Sequence, residues 1–295
     1  MRAQVASRVA PAKINLTLHV TGQQANGYHL LDSLVVFTEL GDVISLRDAD
    51  ALSLDVTGPQ AAGLSQEPDN LVLRAARLMG ADRVALSLDK RLPVASGMGG
   101  GSSDAAAVLH LLADRGASLP DTARAMQLGA DLPVCLAAPQ PSRMRGLGEL
   151  VEAVPHVPAL WVLLVNPGQG LSTPSVFKAL KKRDNTAMPS ELPHWQNAAD
   201  LCDWLATQRN DLEAPARDLV PAVSEVLAQI SAQNGCLLSR MTGSGATCFG
   251  LFADQPSVLA AEQALARPDS LLRPVSALLT PGASSASPLE VFWAP

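Results

Sequence analysis

The chain has 295 residues, 47% hydrophobic and 17% charged, with 28 acidic against 22 basic side chains and a formal charge of −6. That length supplies one large domain or two ordinary ones, and the acidic balance speaks against non-specific binding to nucleic acid or an anionic membrane surface. With five Phe, four Trp and a single Tyr, Tyr28, the core is expected to be built from Ala, Leu and Val.

Further classes fall away on pattern. Apolar runs such as Ala159–Val165 are far shorter than the roughly 20 residues that cross a bilayer. The N-terminus lacks the charged, apolar and small-residue order of a signal peptide. Cys135, Cys202, Cys236 and Cys248 are scattered without a CxxC pair. That spacing suits neither structural zinc nor a disulfide framework, and it fits a reducing cytoplasm.

In chain order, Lys13 to Val20 alternates Ile14, Leu16, Leu18 and Val20 with Lys13, Asn15, Thr17 and His19. A period of two predicts a strand whose apolar set faces the core while Lys13 and Asn15 project together from the polar face, about 6–7 Å apart. Further strands are expected at Ser33–Phe37, Val43–Arg47, Leu52–Val56 and Arg83–Leu88. Asp69 or Asn70 can cap a helix that runs to Gly80. A second helix is expected from Ser102 or Ser103 to Gly116, and a third over Asp121–Leu128. Two prolines in Val154-Pro155-His156-Val157-Pro158 mark a break. After it a strand at Leu160–Val165, helical sequence including Pro215–Gln233, strands at Leu237–Met241 and Thr247–Phe252, a helix at Pro256–Ala266 and a strand at Pro274–Leu278 give β-α-β-β-α-β, the order of a ferredoxin-like unit. The fold expected is α+β, with an N-terminal domain over 1–157 and a ferredoxin-like C-terminal domain over 158–295. Thr280–Pro295, rich in Ser, Pro and Ala, reads as an extended tail.

The strongest chemical signal is Pro93-Val94-Ala95-Ser96-Gly97-Met98-Gly99-Gly100-Gly101-Ser102-Ser103, placed between a strand and an alanine-rich helix. Glycines let backbone approach a ligand closely, and a helix N-terminus offers unpaired N–H groups and a positive dipole end. Together they suit a phosphate. No Lys follows the last glycine as in a P-loop, and Ser102 stands where the Rossmann fingerprint has its third glycine. The alternative is a glycine hinge capped by Ser102 or Ser103. A second cluster, Thr242-Gly243-Ser244-Gly245-Ala246-Thr247, is equally readable as a tight hairpin turn.

Five segments, Pro11–Leu16, Gly27-Tyr28-His29, Gly99–Ala106, Gly129-Ala130-Asp131-Leu132-Pro133 and Thr242–Thr247, occur in an order that resembles the GHMP kinases. Within that superfamily, Pro-Ala-Lys-Ile-Asn joined to Gly-Tyr-His is similar to the kinases that phosphorylate the 2-hydroxyl of 4-diphosphocytidyl-2-C-methyl-D-erythritol in non-mevalonate isoprenoid synthesis. The resemblance covers Pro11 to Phe252. It implies ATP with Mg²⁺ over the glycine loop, Asp131 as catalytic base and Lys13 as catalytic lysine. It also implies Tyr28, His29 and Phe177 around the cytosine, Asn15 near the ribose or diphosphate, and Gly243 and Ser244 against substrate. No Mg²⁺ ligand is assigned. Ser96 and Met98 depart from the common pattern, where Gly or Ala and Leu are frequent, and a phosphate loop accommodates both. The implied protein is a monomer or weak homodimer. The rivals are a GHMP kinase for homoserine or mevalonate, in which Tyr28 and His29 would be idle, and a silent nucleotide-binding protein, which would need neither Lys13 nor Asp131.

Overall fold

The computed structural model describes residues 5–62, 64, 69–266 and 273–279. The tail expected at Thr280–Pro295 lies outside them. The first half contains β1 (Ala6–Asn15), β2 (His19–Gln23), β3 (His29–Asp48), β4 (Ser53–Thr57), α1 (Leu71–Leu78), β5 (Val84–Asp89), α2 (Gly100–Ala113), α3 (Thr122–Met126), α4 (Leu132–Leu136), β6 (Ser142–Gly146) and β7 (Leu150–Ala153). The second contains β8 (Leu160–Asn166), α5 (Thr173–Ala179), α6 (Ala198–Ala206), α7 (Glu213–Leu219), α8 (Ala222–Ser231), β9 (Leu238–Met241), β10 (Cys248–Phe252), α9 (Gln255–Leu265) and β11 (Arg273–Leu279). No helix among the described residues is long and apolar enough to cross a membrane.

The 20-residue β3 organises the first half. It replaces the two strands expected at Ser33–Phe37 and Val43–Arg47, because the chain at Gly41 passes straight on instead of turning. A Cβ at Gly41 would strike the Ala10 carbonyl, so only glycine lets β1 and β3 approach there. The early part of β3 pairs with β2 and β6, its late part with β1 and β5, and β4 runs parallel to β5. In the second half the strand order β11-β8-β10-β9, all antiparallel, is the ferredoxin-like arrangement. Leu279 pairs with Thr38 and joins the two halves into one eleven-stranded sheet. The reading of Pro215–Gln233 as helical is interrupted at Val220-Pro221, since a proline cannot donate to the preceding turn.

The predicted strand over Lys13–Val20 breaks in two, and its polar set does not face water. β1 ends at Asn15 and β2 begins at His19, yet Lys13, Asn15, Thr17 and His19 are all buried. The second half covers them. Thr242 Oγ1 accepts from the Asn15 N–H at 2.9 Å, the Thr17 hydroxyl meets Met188 Sδ at 3.1 Å, and the His19 ring lies 3.1 Å from the Thr186 carbonyl. A register shift between Pro11 and Lys13 forms a bulge, the device that re-aims side chains at a strand end.

The apolar filling is aliphatic, as composition implied. α2 is apolar on nearly every side, and Ala105, Ala106, Val108, Leu109 and Leu111 are buried against α1, α4 and the sheet. Asn70 caps α1 by accepting from the Val72 N–H at 2.9 Å. α4 and α6 were not anticipated from sequence; five and nine residues give little periodicity to read.

One buried ion pair ties the long segment after α5 to the sheet. Arg143 donates to Asp32 Oδ1 at 2.8 Å and Oδ2 at 2.7 Å, and also to the Pro189 and Ser190 carbonyls. Asp32 Oδ2 also accepts from the Met188 N–H at 2.9 Å. Removing one partner leaves the other charge buried alone. Asp32→Ala should therefore cost about 3–5 kcal/mol in urea unfolding; a loss within error of zero would show that the pair holds nothing.

Candidate active site

The glycine loop runs from Lys90 to Gly99, and α2 starts at Gly100, two residues before the earliest predicted start. Gly99, at φ 64°, sets the helix going, and the first intrahelical bond runs from the Ser103 N–H to the Gly99 carbonyl at 2.9 Å. The N–H groups of Gly100, Gly101 and Ser102 therefore lie ahead of the helix ladder, at the wall of a cleft of about 1020 Å³.

The second glycine cluster is the loop's support. A Cβ on Gly97 would lie 2.5 Å from the Thr242 carbonyl oxygen, and one on Gly243 would lie 2.5 Å from the Gly97 carbonyl oxygen. The two loops thus meet backbone to backbone, and the Thr247 N–H donates to the Ser96 carbonyl at 3.2 Å. The Asn210 amide holds the far side through the Met241 and Gly243 carbonyls at 2.8 and 2.9 Å.

Beneath the loop runs Lys13. Its N–H donates to the Met98 carbonyl at 2.9 Å, and its side chain passes so near Gly99 that a Cβ there would lie 2.7 Å from Lys13 Cε. The ammonium donates to Asn15 Oδ1 at 3.0 Å and meets Asp131 Oδ2 at 3.2 Å. Asn15 donates in turn to Ser33 Oγ at 2.8 Å. The lysine side chain is only 3% exposed while the Asp131 side chain is 38% exposed, so a locked cation holds an accessible carboxylate. Asp131 sits at the start of α4, where the adjoining Ala130 carbonyl packs on Gly148 so closely that any Cβ there would collide.

At the other end of the cleft stand Tyr28, His29 and Phe177. Tyr28 is 63% exposed on the turn held by Asn26 Oδ1, which accepts the Tyr28 N–H at 3.1 Å. Phe177, on α5, stacks on His29 with centroids 4.7 Å apart and planes at 22°. Tyr28 lies at the turn tip, outside that contact. Burial, then the nearby Arg183 charge, pulls the His29 pKa below its ordinary value, and its Nε2 is buried without a hydrogen-bond partner.

The cleft gathers Lys13, Asn15, Tyr28, His29, Asp131, Phe177, Gly243, Ser244 and the loop residues Pro93, Val94, Ala95, Ser96, Gly97, Gly99, Gly100, Gly101 and Ser102. Met98 and Ser103 face away from it. Met98 is fully buried in the core, and the Ser103 hydroxyl donates to the Pro11 carbonyl at 2.7 Å, the interior side of the same helical turn. Sequence reasoning missed Lys90, Asp104, Lys178 and Arg183, which also line the cleft. One signal was available: lysines occur only at 13, 90, 178, 181 and 182, and three of these reach the cleft. Among the described residues no three His, Cys, Asp or Glu side chains gather as a metal site.

A nucleotide-sized cleft lined by a helix N-terminus and a Lys-held carboxylate suits phosphoryl transfer to an alcohol. Comparison with known proteins agrees. Residues 70–138 match the model of the GHMP kinases N terminal domain, and residues 177–270 match GHMP kinases C terminal. The chain is a small-molecule kinase of the GHMP class. It is 55% identical over 258 residues to the 4-diphosphocytidyl-2-C-methyl-D-erythritol kinase of Cereibacter sphaeroides, covering 87% of this chain and 92% of that one. It is 56% identical over 257 residues to the enzyme of the same name from Paracoccus denitrificans, with 87% and 90% covered. A crystal structure of 4-(cytidine 5'-diphospho)-2C-methyl-D-erythritol kinase superposes with a TM-score of 0.74 at 31% identity, covering 93% of this chain and all of that one. Homoserine kinase from Cytophaga hutchinsonii, at 15% identity and a TM-score of 0.62, shares the fold. The chain belongs to the 4-diphosphocytidyl-2-C-methyl-D-erythritol kinase family.

The loop-on-loop contact predicts a specific sensitivity. Gly97→Ala places a methyl against the Thr242 carbonyl at a φ of +80°, and should lower stability by about 1–3 kcal/mol and raise the KM for nucleotide. Unchanged urea unfolding and nucleotide KM would contradict the close approach.

Proposed function

We propose that this protein transfers the γ-phosphoryl group of ATP to the 2-hydroxyl of 4-diphosphocytidyl-2-C-methyl-D-erythritol, a step of non-mevalonate isoprenoid synthesis. The observation that carries this reading is the 3.2 Å pair of buried Lys13 with accessible Asp131, in the cleft that the first turn of α2 also lines. Phosphoryl transfer passes through a loose, charge-rich transition state, so positioning and electrostatics dominate. Asp131 accepts the proton of the attacking hydroxyl. Lys13 orients Asp131 and stabilises charge on the transferring group. Asn15, with both ends of its amide engaged inside the protein, acts by orienting Lys13.

ATP would enter as its Mg²⁺ complex, the ion neutralising phosphate charge; among the described residues no group of three His, Cys, Asp or Glu side chains would hold it. Pro93–Gly97 and Gly99–Ser102 cradle it, with the open N–H groups of α2 on the phosphates. Gly243 and Ser244 close the wall from the other half. At the far end Tyr28 stacks on the cytosine, and Phe177 leaves His29 to take the opposite face, freeing the neutral His29 ring for the base edge. Lys178 and Arg183, exposed beside Phe177, face the substrate diphosphate. The cleft lies between an N-terminal domain over 1–157 and a C-terminal domain over 158–295. The four cysteines are free thiols, in keeping with work in the cytoplasm.

A coupled assay of ADP release across the cytidine-linked methylerythritol, mevalonate and homoserine tests the assignment, which fails if either of the last two is turned over as well as the first. Asp131→Asn should lower kcat by about 10²–10⁴-fold while ATP still binds in calorimetry; wild-type turnover would remove Asp131 from the base role. Tyr28→Ala should weaken cytidine-substrate binding by about 1–3 kcal/mol with ATP binding unchanged, and an unaltered KM for that substrate would rule out base stacking.

A further inference from the structure

Beneath the glycine loop lies a second buried charge cluster that the reaction scheme leaves unused. Lys90 follows β5 and is 4% exposed; Asp42 of β3 is fully buried, and Asp104 in the first turns of α2 is 2% exposed. The Lys90 ammonium donates to Asp42 Oδ2 at 2.5 Å and to Asp104 Oδ2 at 2.8 Å. Asp42 Oδ1 is used twice more, accepting from the Arg91 N–H at 2.6 Å and the Leu92 N–H at 2.8 Å. Asp104 Oδ1 is buried with no hydrogen-bond partner, although the residue lines the cleft. Gly100, the first residue of α2, packs on this cluster: a Cβ there would lie 3.0 Å from Lys90 Nζ.

One ammonium facing two carboxylates would leave a net negative charge buried directly under a phosphate-binding helix end. Among the described residues no uncommitted cationic side chain lies beside it. Around α2 and the cluster, Lys13 is committed to Asp131, Arg91 to Asp89 at 2.8 Å and Arg74 to Asp69 at 3.8 Å. The Cys135 thiol of α4 is pushed up by burial and stays neutral, and the His110 pKa, lowered chiefly by burial, leaves that ring uncharged. A buried uncompensated charge is strongly unfavourable. Two of the three groups have well-satisfied ionic contacts; Asp104, with its bare oxygen, does not.

We propose that Asp104 is a positioning residue that retains its proton, so that the Lys90–Asp42–Asp104 cluster is neutral and the end of α2 above it can accept a polyanion. A neutral acid also explains the lone Oδ1, since a carbonyl-like oxygen is far less costly to leave unpaired than a carboxylate. Burial, then the Asp42 charge, drives the Asp104 carboxyl well above the usual carboxylate range. Burial by itself would lower Lys90, but the Asp104 and Asp42 side chains it contacts more than reverse this. When Asp104 does ionise at alkaline pH, the new charge faces the helix end and repels ATP. That last consequence rests on the seating of ATP proposed above, whereas the proton held by Asp104 does not.

The sign of the linkage is definite. An acid whose folded pKa is raised holds more protons folded than unfolded, so its contribution to stability is lost as pH rises through the folded pKa. Asp104→Asn replaces the neutral acid by a neutral amide of the same shape. Thermal unfolding of the ligand-free full chain should show the variant gaining on the wild type from about pH 5 to about pH 8. Infrared spectra at neutral pH should show the C=O band of a protonated carboxylic acid in the wild type, lost in the variant. The wild-type KM for ATP should rise about tenfold towards alkaline pH, and the variant should flatten that rise. A variant that fails to fold, or that is less stable by one margin at every pH, overturns the proposal, as does absence of the acid band. Should the stability trend and the band appear while the KM for ATP ignores pH, the proton on Asp104 stands and the seating of ATP on this loop falls.

Discussion

Two glycine loops from distant parts of the chain touch through bare backbone, and most of the site's geometry follows from that contact. Gly97 and Gly243 each leave no room for a side chain on the other. The Thr242 hydroxyl, one residue away, accepts from the Asn15 N–H, while the Thr247 N–H donates to the Ser96 carbonyl. The end of β1, the first glycine loop and the β9–β10 turn are thereby held together. Lys13 can run under Gly99 only because the loop stands at this height.

Electrostatics here is local rather than global. A chain of net charge −6 offers no general attraction to a nucleotide, so the cleft depends on oriented backbone N–H groups and on cations placed singly. Two of those cations, Lys13 and Lys90, are buried and already engaged with carboxylates. The difference between them is exposure of the partner. Asp131 opens to the cleft, while Asp42 and Asp104 are buried at the first turns of α2. One arrangement suits chemistry and the other suits support.

Much of the fold was legible locally. The helix over 71–78, the strands near 84–89 and 248–252 and the ferredoxin-like order of the second half follow from periodicity and turn residues. The start of α2 was placed late, because glycine has poor helix propensity, yet Gly100 and Gly101 form its first turn, packed on Lys90 and Leu71. β3 was split in two at Gly41, since a glycine that permits close strand approach looks in sequence like one that permits a turn. The site residues divide in the same manner. Lys13, Asp131 and the loop were found through motifs, but Met98 and Ser103 were grouped with the cleft although their side chains point inward, a matter of rotation about the loop and helix that a run of letters does not convey.

The sequence by itself determined the composition of the core, the class of the fold and the order of the motifs, because these depend on alternation, spacing and residue type along the chain. Tertiary structure alone decided that the polar side of the first strand is buried, that Phe177 rests on His29 rather than beside Tyr28, and that Lys90 meets two carboxylates. Each of those outcomes depends on which surface arrives from the other half of the molecule. Burial, charge pairing and the proton balance of an acid are properties of that meeting and have no local signature in the chain.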